Sequence, residues 1–377
     1  METELLIAHG NTAREQHDPE LAISYYAQAF VQNYNSAGAF NNYGNVLREM
    51  GYPERAQPFL EHAIKIDPTN ETARFNLAVC YLLQGNYQQG WPAYEDRWNF
   101  EHLKGVLPNL PRPRWTVQDL RDKTILVIGE QGLGDTIQFA RFVVDLKAAG
   151  ANVVLVVDSN MVSLFGPGTV AFGDNLPEYD YWTPIMSIPG ILALTVDKLN
   201  SPLSYIEADR QSIAEWQKRL GLKRRLRVGF SWSGRKDTWI HQHKSVPFNQ
   251  ITELIRYNPQ HEWVNLQIDA KDEESQILTQ LGCATYPSTI TCMADSAALI
   301  SCMDVVVSVD TAVSHLAGAL GKPTWIMLNQ YGVDWRWLLN RADSPWYPTV
   351  RLFRQSSMGN WGPVITQITR HLNLFKI

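Results

Sequence analysis

The sequence predicts an α plus α/β chain: helical repeats at the front, then two lobes built on parallel sheets. Three observations carry this. Small and apolar residues recur 34 positions apart over the first hundred residues. From Thr124 onward, short β-branched runs alternate with helical stretches. Two of those runs end in a glycine-rich or Asp-Thr turn with a helix directly behind it.

The repeats come first. Gly10, Gly44 and Ala78 share a register, as do Ala22, Ala56 and Gly90, then Tyr26, Leu60 and Tyr94, and Ala13, Leu47 and Tyr81. Small residues let paired helices approach, and the larger apolar ones fill the space between them. Turns fall at His17-Asp18-Pro19, Gly51-Tyr52-Pro53 and Gly85-Asn86-Tyr87, with Asp67-Pro68 closing the second unit. This period resembles the tetratricopeptide repeat, whose units stack and need roughly three copies for stability. The third copy degrades into Gly90-Trp91-Pro92-Ala93-Tyr94-Glu95-Asp96-Arg97-Trp98, read as a cap docked on the next domain through Trp91, Tyr94 and Trp98. Either scaffolding or recruitment of an acceptor or partner fits such repeats.

Bulk properties bound the rest. A chain of 377 residues exceeds one ordinary core, so two or three domains are expected. Its 45% hydrophobic and 19% charged content is that of a globular protein. The net charge of -5 offers no basic excess for nucleic acid. Met1 to Gly10 lacks a basic stretch followed by an apolar core, and no apolar run approaches the roughly 20 residues of a membrane span. A cytoplasmic location is therefore expected. Cys80, Cys283, Cys292 and Cys302 form no C-x-x-C pair and read as reduced thiols.

The expected boundaries are repeats at 1–100, a proline-bearing linker at 101–122, a first lobe at 123–222 and a second at 223–377. Arg112, Arg114 and Trp115 are candidate anchors for the linker. In lobe one, strands are expected at Thr124–Gly129 and Asn152–Val157, with a helix over Thr136–Ala149; 166–206 resists assignment. Glu207–Arg225 reads as a helix running into a basic hinge. In lobe two, strands are expected at Val228–Ser231, Trp263–Gln267, Val305–Val309, Thr324–Leu328 and Val350–Phe353. Helices are expected at Asn249–Tyr257, Glu274–Leu281, Ser296–Met303, Ala312–Leu320 and Trp361–Leu374, the last crossing back. Two Rossmann-like lobes facing one cleft make the glycosyltransferase B architecture.

The segment Asp304 to Pro323 is the most informative. A hydrophobic strand ends in Asp310-Thr311 and a small-residue helix begins at once, with Ala312 and Val313 in its first turn. A helix N-terminus with its free N–H groups suits a diphosphate, and the carboxyl end of a parallel strand is where α/β folds hold ligands. Asp310 and Thr311 are also natural helix caps. His315, four residues after Thr311, faces the same side.

In Gly129-Glu130-Gln131-Gly132-Leu133-Gly134-Asp135-Thr136 the G-x-G-x-x-G spacing is missing, which disfavours a nicotinamide enzyme. Gln131, Gly132 and Gly134 let a substrate approach the backbone, and Asp135 is either a general base for an acceptor hydroxyl or an N-terminal cap. Ser231-Trp232-Ser233-Gly234-Arg235 and Lys244 open the second lobe and can reach a diphosphate, with Gln267 at the end of the neighbouring strand. His241 and His243 lie beside Lys244 without carboxylates at ligand spacing, so they read as solvated loop. No metal and no cofactor beyond the donor are expected. Asp334, Trp335 and Arg336, with Trp337, Trp346 and Tyr347, either stack on a sugar at the acceptor side or close a domain edge.

The runs E-Q-G-L-G-D-T-I-Q-F-A-R, S-V-D-T-A-V-S-H-L-A-G-A-L-G-K-P and D-S-P-W-Y-P-T-V-R-L-F-R-Q resemble bacterial tetratricopeptide-repeat glycosyltransferases whose catalytic part is similar to lipopolysaccharide heptosyltransferases. The resemblance implies that Asp135 is the general base and Lys244 the phosphate-contacting lysine. It also implies that Asp310, Thr311 and His315 form the sugar-nucleotide loop, and that transfer inverts the anomeric centre without a metal. The family tends to carry Arg where this chain has Lys244, which keeps the charge but not a bidentate contact. Heptose, hexose and N-acetylhexosamine donors all fit this architecture. The expected partners are a nucleotide sugar and an acceptor protein or glycan. Two other readings stay open: a repeat scaffold with an inactive transferase domain, and a two-lobed sugar-nucleotide epimerase.

Overall fold

The computed structural model describes residues 2–99, 109–199, 201–234, 243–286 and 288–375. The chain forms two compact units. The first contains Met1–Asn109, Pro189–Leu199 and Gln330–Arg341; the second contains Leu110–Ile188, Asn200–Asn329 and Ala342–Ile377. This differs from the expected boundaries, because two short excursions from the α/β sequence belong with the repeats.

In the first unit the repeat register becomes three helix pairs: α1 (Glu2–Glu15) with α2 (Pro19–Gln32), α3 (Ala37–Glu49) with α4 (Pro53–Ile66), and α5 (Glu71–Leu83) with α6 (Tyr87–Tyr94). The 34-residue period is visible as physics. His17, Gly51 and Gly85 all take left-handed φ, 66°, 85° and 75°, at the turn inside each pair. Asp18, Ser36, Asn70 and Asn86 each cap the following helix by accepting a backbone N–H. Gly44 seats Leu60: a Cβ there would stand 2.8 Å from Leu60 Cγ. Ala22, Ala56 and Ala63 are fully buried between helices.

The last pair would expose its apolar face, and the two excursions cover it. Trp91 Nε1 donates to Leu194 O at 3.0 Å, and a Cβ on Gly190 would stand 3.1 Å from Trp91 Cβ. Trp335 meets Trp91, Tyr87 and Tyr94 edge-on, with ring centroids 5.4, 6.3 and 6.0 Å away. Tyr331 donates its hydroxyl to Glu49 Oε2 at 2.7 Å, and Glu49, 1% exposed, is also paired with Arg14.

The second unit holds two all-parallel sheets. The first has the order β3-β2-β1-β4, from β1 (Thr124–Ile128), β2 (Asn152–Val157), β3 (Thr169–Ala171) and β4 (Tyr181–Pro184). The second has the order β6-β5-β7-β8-β9, from β5 (Arg227–Ser231), β6 (Glu262–Asn265), β7 (Val305–Val309), β8 (Thr324–Leu328) and β9 (Val350–Arg354). Strands β3 and β4 and the short helices around them fill the stretch that the sequence left unassigned. The described part of the linker is anchored on β4: Trp115 N donates to Trp182 O, Trp182 Nε1 to Arg112 O, and Arg114 Nη2 to Ser187 Oγ.

Two expectations need correction. The single helix over Thr136–Ala149 is two, Leu133–Phe139 (α7) and Arg141–Ala148 (α8), broken at Ala140, where Val143 N bonds back only three residues to Ala140 O. The C-terminal helix, Gly362–Leu374, does not cross back. Val364, Ile365, Ile368 and Leu372 lie in the same core as Val228, Phe230 and Trp325 of the second sheet, and Thr369 accepts from Asn258 Nδ2. Its apolar stripe matches the core of its own lobe.

Candidate functional site

Both sheets place a crevice where strand order reverses. In the first sheet this lies between β1 and β4, in the second between β5 and β7. Ligands of α/β folds bind outside the carboxyl ends of strands at these points. The turn after β1 is Gly129–Gly132, the loop after β5 is Trp232–Gly234, and the turn after β7 is Asp310–Thr311. Three sequence-predicted segments thus sit at the topologically favoured places.

At the second crevice, Ser231 and Ser308 are registered across β5 and β7, and their hydroxyls are 2.7 Å apart. Gln267 Oε1 accepts from the backbone N–H of both Trp232 and Ser233, at 3.1 and 3.0 Å, which fixes the β5 loop. Trp232 itself is 3% exposed and packs in the core, so its side chain supports the loop. A Cβ on Gly234 would stand 3.2 Å from Thr311 Cγ2, so the β5 and β7 loops touch.

Asp310 is the electrostatic centre. Its side chain is 8% exposed, Lys244 Nζ bonds its Oδ2 at 2.8 Å, and His315 Nε2 stands 3.7 Å from its Oδ1. Burial alone would raise its pKa, yet the Lys244 ammonium and then His315 outweigh burial and hold the carboxyl well below the usual range. Behind it, helix Ala312–Ala319 (α9) begins with Thr311, Ala312 and Val313 only half-buried, so the amides of its first turn face accessible space. Ser314 supplies the cap: its Oγ accepts from Thr311 N at 3.2 Å.

At the first crevice, Gln131 takes φ 61° and is exposed, which turns the chain into α7 at Gly132. Glu130 Oε1 accepts from Met186 N at 3.0 Å and ties this turn to the end of β4. Asp135 Oδ2 accepts from Gly132 N at 2.8 Å, so the carboxylate does serve as a cap; it remains half-exposed. The two crevices meet at one contact: a Cβ on Gly134 would stand 2.8 Å from His315 Cδ2 and 3.6 Å from Ala312 Cα. The N-termini of α7 and α9 face each other there.

Asp334, Trp335 and Arg336 are the residues expected at the acceptor side. They lie in the first unit, where Asp334 caps a short helical turn by accepting from Arg336 N, Arg336 Nη1 pairs with Asp334, and Trp335 packs on α6. Trp337 and Trp346 are fully buried. His243 precedes Lys244, while His241 and Arg235 lie outside the described residues. No group of three His, Cys, Asp or Glu side chains among the described residues is placed to hold a metal. Burial pushes the thiols of Cys80 and Cys283 up to about 12.

Sequence reasoning missed Arg141 and Tyr205 and singled out Tyr347 only as an aromatic. Tyr347 is 1% exposed, and its hydroxyl lies 2.8 Å from His315 Nδ1. Its ring sits on Gly318, where a Cβ would come within 2.6 Å of Tyr347 Cδ1. The helix therefore needs glycine at that position. Arg141, 3% exposed, lies 4.8 Å from the ring centroids of both Tyr205 and Tyr347 and donates to Trp346 O at 2.5 Å.

Comparison with known proteins agrees with this division. Residues 47–90 match the tetratricopeptide repeat model, and residues 194–328 match Glycosyltransferase family 9 (heptosyltransferase). Protein FlbA of Caulobacter vibrioides is 27% identical over 369 residues, covering 89% of this chain; the chain spans 61% of that protein's length. Among solved structures, the ADP-heptose lps heptosyltransferase II of E. coli covers 67% of this chain and 98% of its own, at 16% identity and a TM-score of 0.49. A glycosyl transferase family 9 structure from Veillonella parvula covers 69% and 99%, at 13% identity and 0.49.

Proposed function

We propose that the second unit transfers a sugar from a nucleoside-diphosphate sugar to an acceptor hydroxyl, in a single inverting displacement. The observation that carries this reading is the meeting of the two switch-point crevices at Gly134 and His315. It puts a half-exposed carboxylate, Asp135, one residue from a helix start that suits a diphosphate. The match of residues 194–328 to a glycosyltransferase family supports the same reaction class.

In this reading Asp135 accepts the proton of the attacking hydroxyl while Gly132 N–H holds its other oxygen in place. The attacking oxygen bonds to the anomeric carbon as the bond to the diphosphate oxygen breaks. The first-turn amides of α9 and the Lys244 ammonium stabilise the departing diphosphate, so protein groups supply the positive charge and no cofactor is required. Ser233 and the Gln267-fixed loop line the donor side. The repeats recruit an acceptor or partner protein, in keeping with the repeat match at 47–90.

Product analysis tests this. Incubation with a panel of nucleotide sugars and candidate acceptors yields free nucleoside diphosphate and a glycosylated acceptor of inverted anomeric configuration. Conversion of a sugar nucleotide without any acceptor would replace the reading with an epimerase. No turnover with any donor, together with partner capture by the repeats, would replace it with a scaffold.

A further inference from the structure

A buried polar chain runs from the end of α7 to Lys244. Tyr205 donates its hydroxyl to Ile137 O at 3.0 Å, and Arg141 Nε donates to Gln138 O at 2.9 Å. Arg141 lies 4.8 Å from the ring centroids of both Tyr205 and Tyr347. The Tyr347 hydroxyl reaches His315 Nδ1, His315 Nε2 faces Asp310 Oδ1, and Asp310 Oδ2 accepts from Lys244.

We infer that Tyr347 is a positioning residue whose hydroxyl donates to His315 Nδ1 and so fixes the imidazole as its Nε2–H tautomer, aimed at Asp310. The argument counts donors. An ionised carboxylate only accepts, so the His315 nitrogen that faces Asp310 at 3.7 Å is the one that favours hydrogen. A neutral imidazole then has a bare Nδ1, which needs a donor, and the Tyr347 hydroxyl is 2.8 Å away. Arg141, 4.8 Å from the Tyr347 ring centroid, has only donors to offer and cannot accept the Tyr347 O–H, for which His315 Nδ1 is an acceptor. Burial and Tyr205 hold the Tyr347 phenol protonated, well above the ordinary tyrosine value, although Arg141 pulls the other way. Gly318 is what lets the tyrosine ring lie close enough.

The tautomer assignment stands independently of the reaction, whereas its consequence for the donor rests on the transferase reading. Held by His315, Asp310 keeps Lys244 pointed at the first turn of α9. Without the Tyr347 hydroxyl, Nδ1 loses its donor, the Nε2–H form is favoured by the carboxylate alone, and the imidazole loosens from Asp310.

Long-range nitrogen–proton correlation spectra of the full chain read this directly, with His315→Gln used to assign the resonance. Wild type should show His315 protonated at Nε2 and bare at Nδ1, and Tyr347→Phe should raise the share protonated at Nδ1. Nucleoside diphosphates should bind Tyr347→Phe about tenfold more weakly, the cost of one lost buried hydrogen bond. A wild-type histidine carrying its proton at Nδ1 overturns the inference, and this arm needs no variant to fold. An unchanged spectrum in Tyr347→Phe overturns it as well. A changed tautomer with unchanged nucleotide affinity overturns the positioning role. Absence of nucleotide binding in wild type, with the expected tautomer, would instead count against the transferase reading.

Discussion

Gly134 and His315 belong to different lobes of the second unit and are in contact that leaves no room for a side chain. The turn that carries Asp135 and the helix that begins beside Asp310 are therefore registered on each other. Backbone φ at Gly134 is not left-handed, so only space requires the glycine.

Gly134→Ala tests that contact. A methyl group 2.8 Å from His315 Cδ2 must displace either the turn or the imidazole. Urea unfolding should show a loss of about 1–3 kcal/mol, typical of overpacking. Transfer should fall by more than the stability loss explains, because both crevices are disturbed. A fully active Gly134→Ala would place the reacting centre elsewhere.

Asp135 caps α7 and is also the proposed base, and two substitutions separate these roles. Asn keeps an oxygen for Gly132 N–H, so Asp135→Asn should unfold near the wild-type midpoint while transfer drops roughly 10²- to 10⁴-fold. Asp135→Ala loses the cap too and should cost about 1 kcal/mol more stability. Near-wild-type transfer in Asp135→Asn would reduce this residue to a cap.

Asp310 predicts a pH dependence with a definite sign. Its folded pKa is depressed, because Lys244 and His315 overcome the burial that would raise it. The resulting stability is present above the ordinary carboxylate value of 3.8 and is lost only as pH falls below it toward the depressed folded value. Wild type should therefore lose stability steeply on acidification below about pH 4, and Asp310→Asn should show a shallower loss over the same range. Equal slopes in the two proteins would mean that the Lys244 contact does not persist in solution.

Trp335 illustrates where sequence reasoning reached its limit. Asp334-Trp335-Arg336 reads as well for a sugar platform as for packing, because an aromatic beside an arginine suits both. Its packing rests on long-range contacts with Trp91, Tyr87 and Tyr94, which no local pattern encodes. The repeats were legible because their register repeats at short range, with small residues at 10, 44 and 78. Strands β7 and β8 were legible because all five residues of each are buried and apolar or hydroxylic. The Lys244–Asp310 pair spans 66 positions and the Arg141–Trp346 contact 205, so only folding reveals them.

The repeats and the proposed catalytic unit should also separate energetically. Trp335→Ala removes a 4%-exposed side chain from the end of the solenoid and should cost about 3–5 kcal/mol in the first unit. Nucleoside-diphosphate affinity should remain within about twofold of wild type, since Trp335 belongs to the first unit and the proposed donor site to the second. A large loss of affinity would return Trp335 to the donor or acceptor site.

The most direct test of the central claim is thermal unfolding of the full chain against a panel of nucleoside diphosphates and their sugars. A ligand at about 100 times its dissociation constant adds roughly 2.7 kcal/mol, which raises the midpoint by several degrees. The account predicts such a shift with one base, reduced strongly in Lys244→Ala and unchanged in Asp135→Asn. No shift with any member of the panel would contradict it.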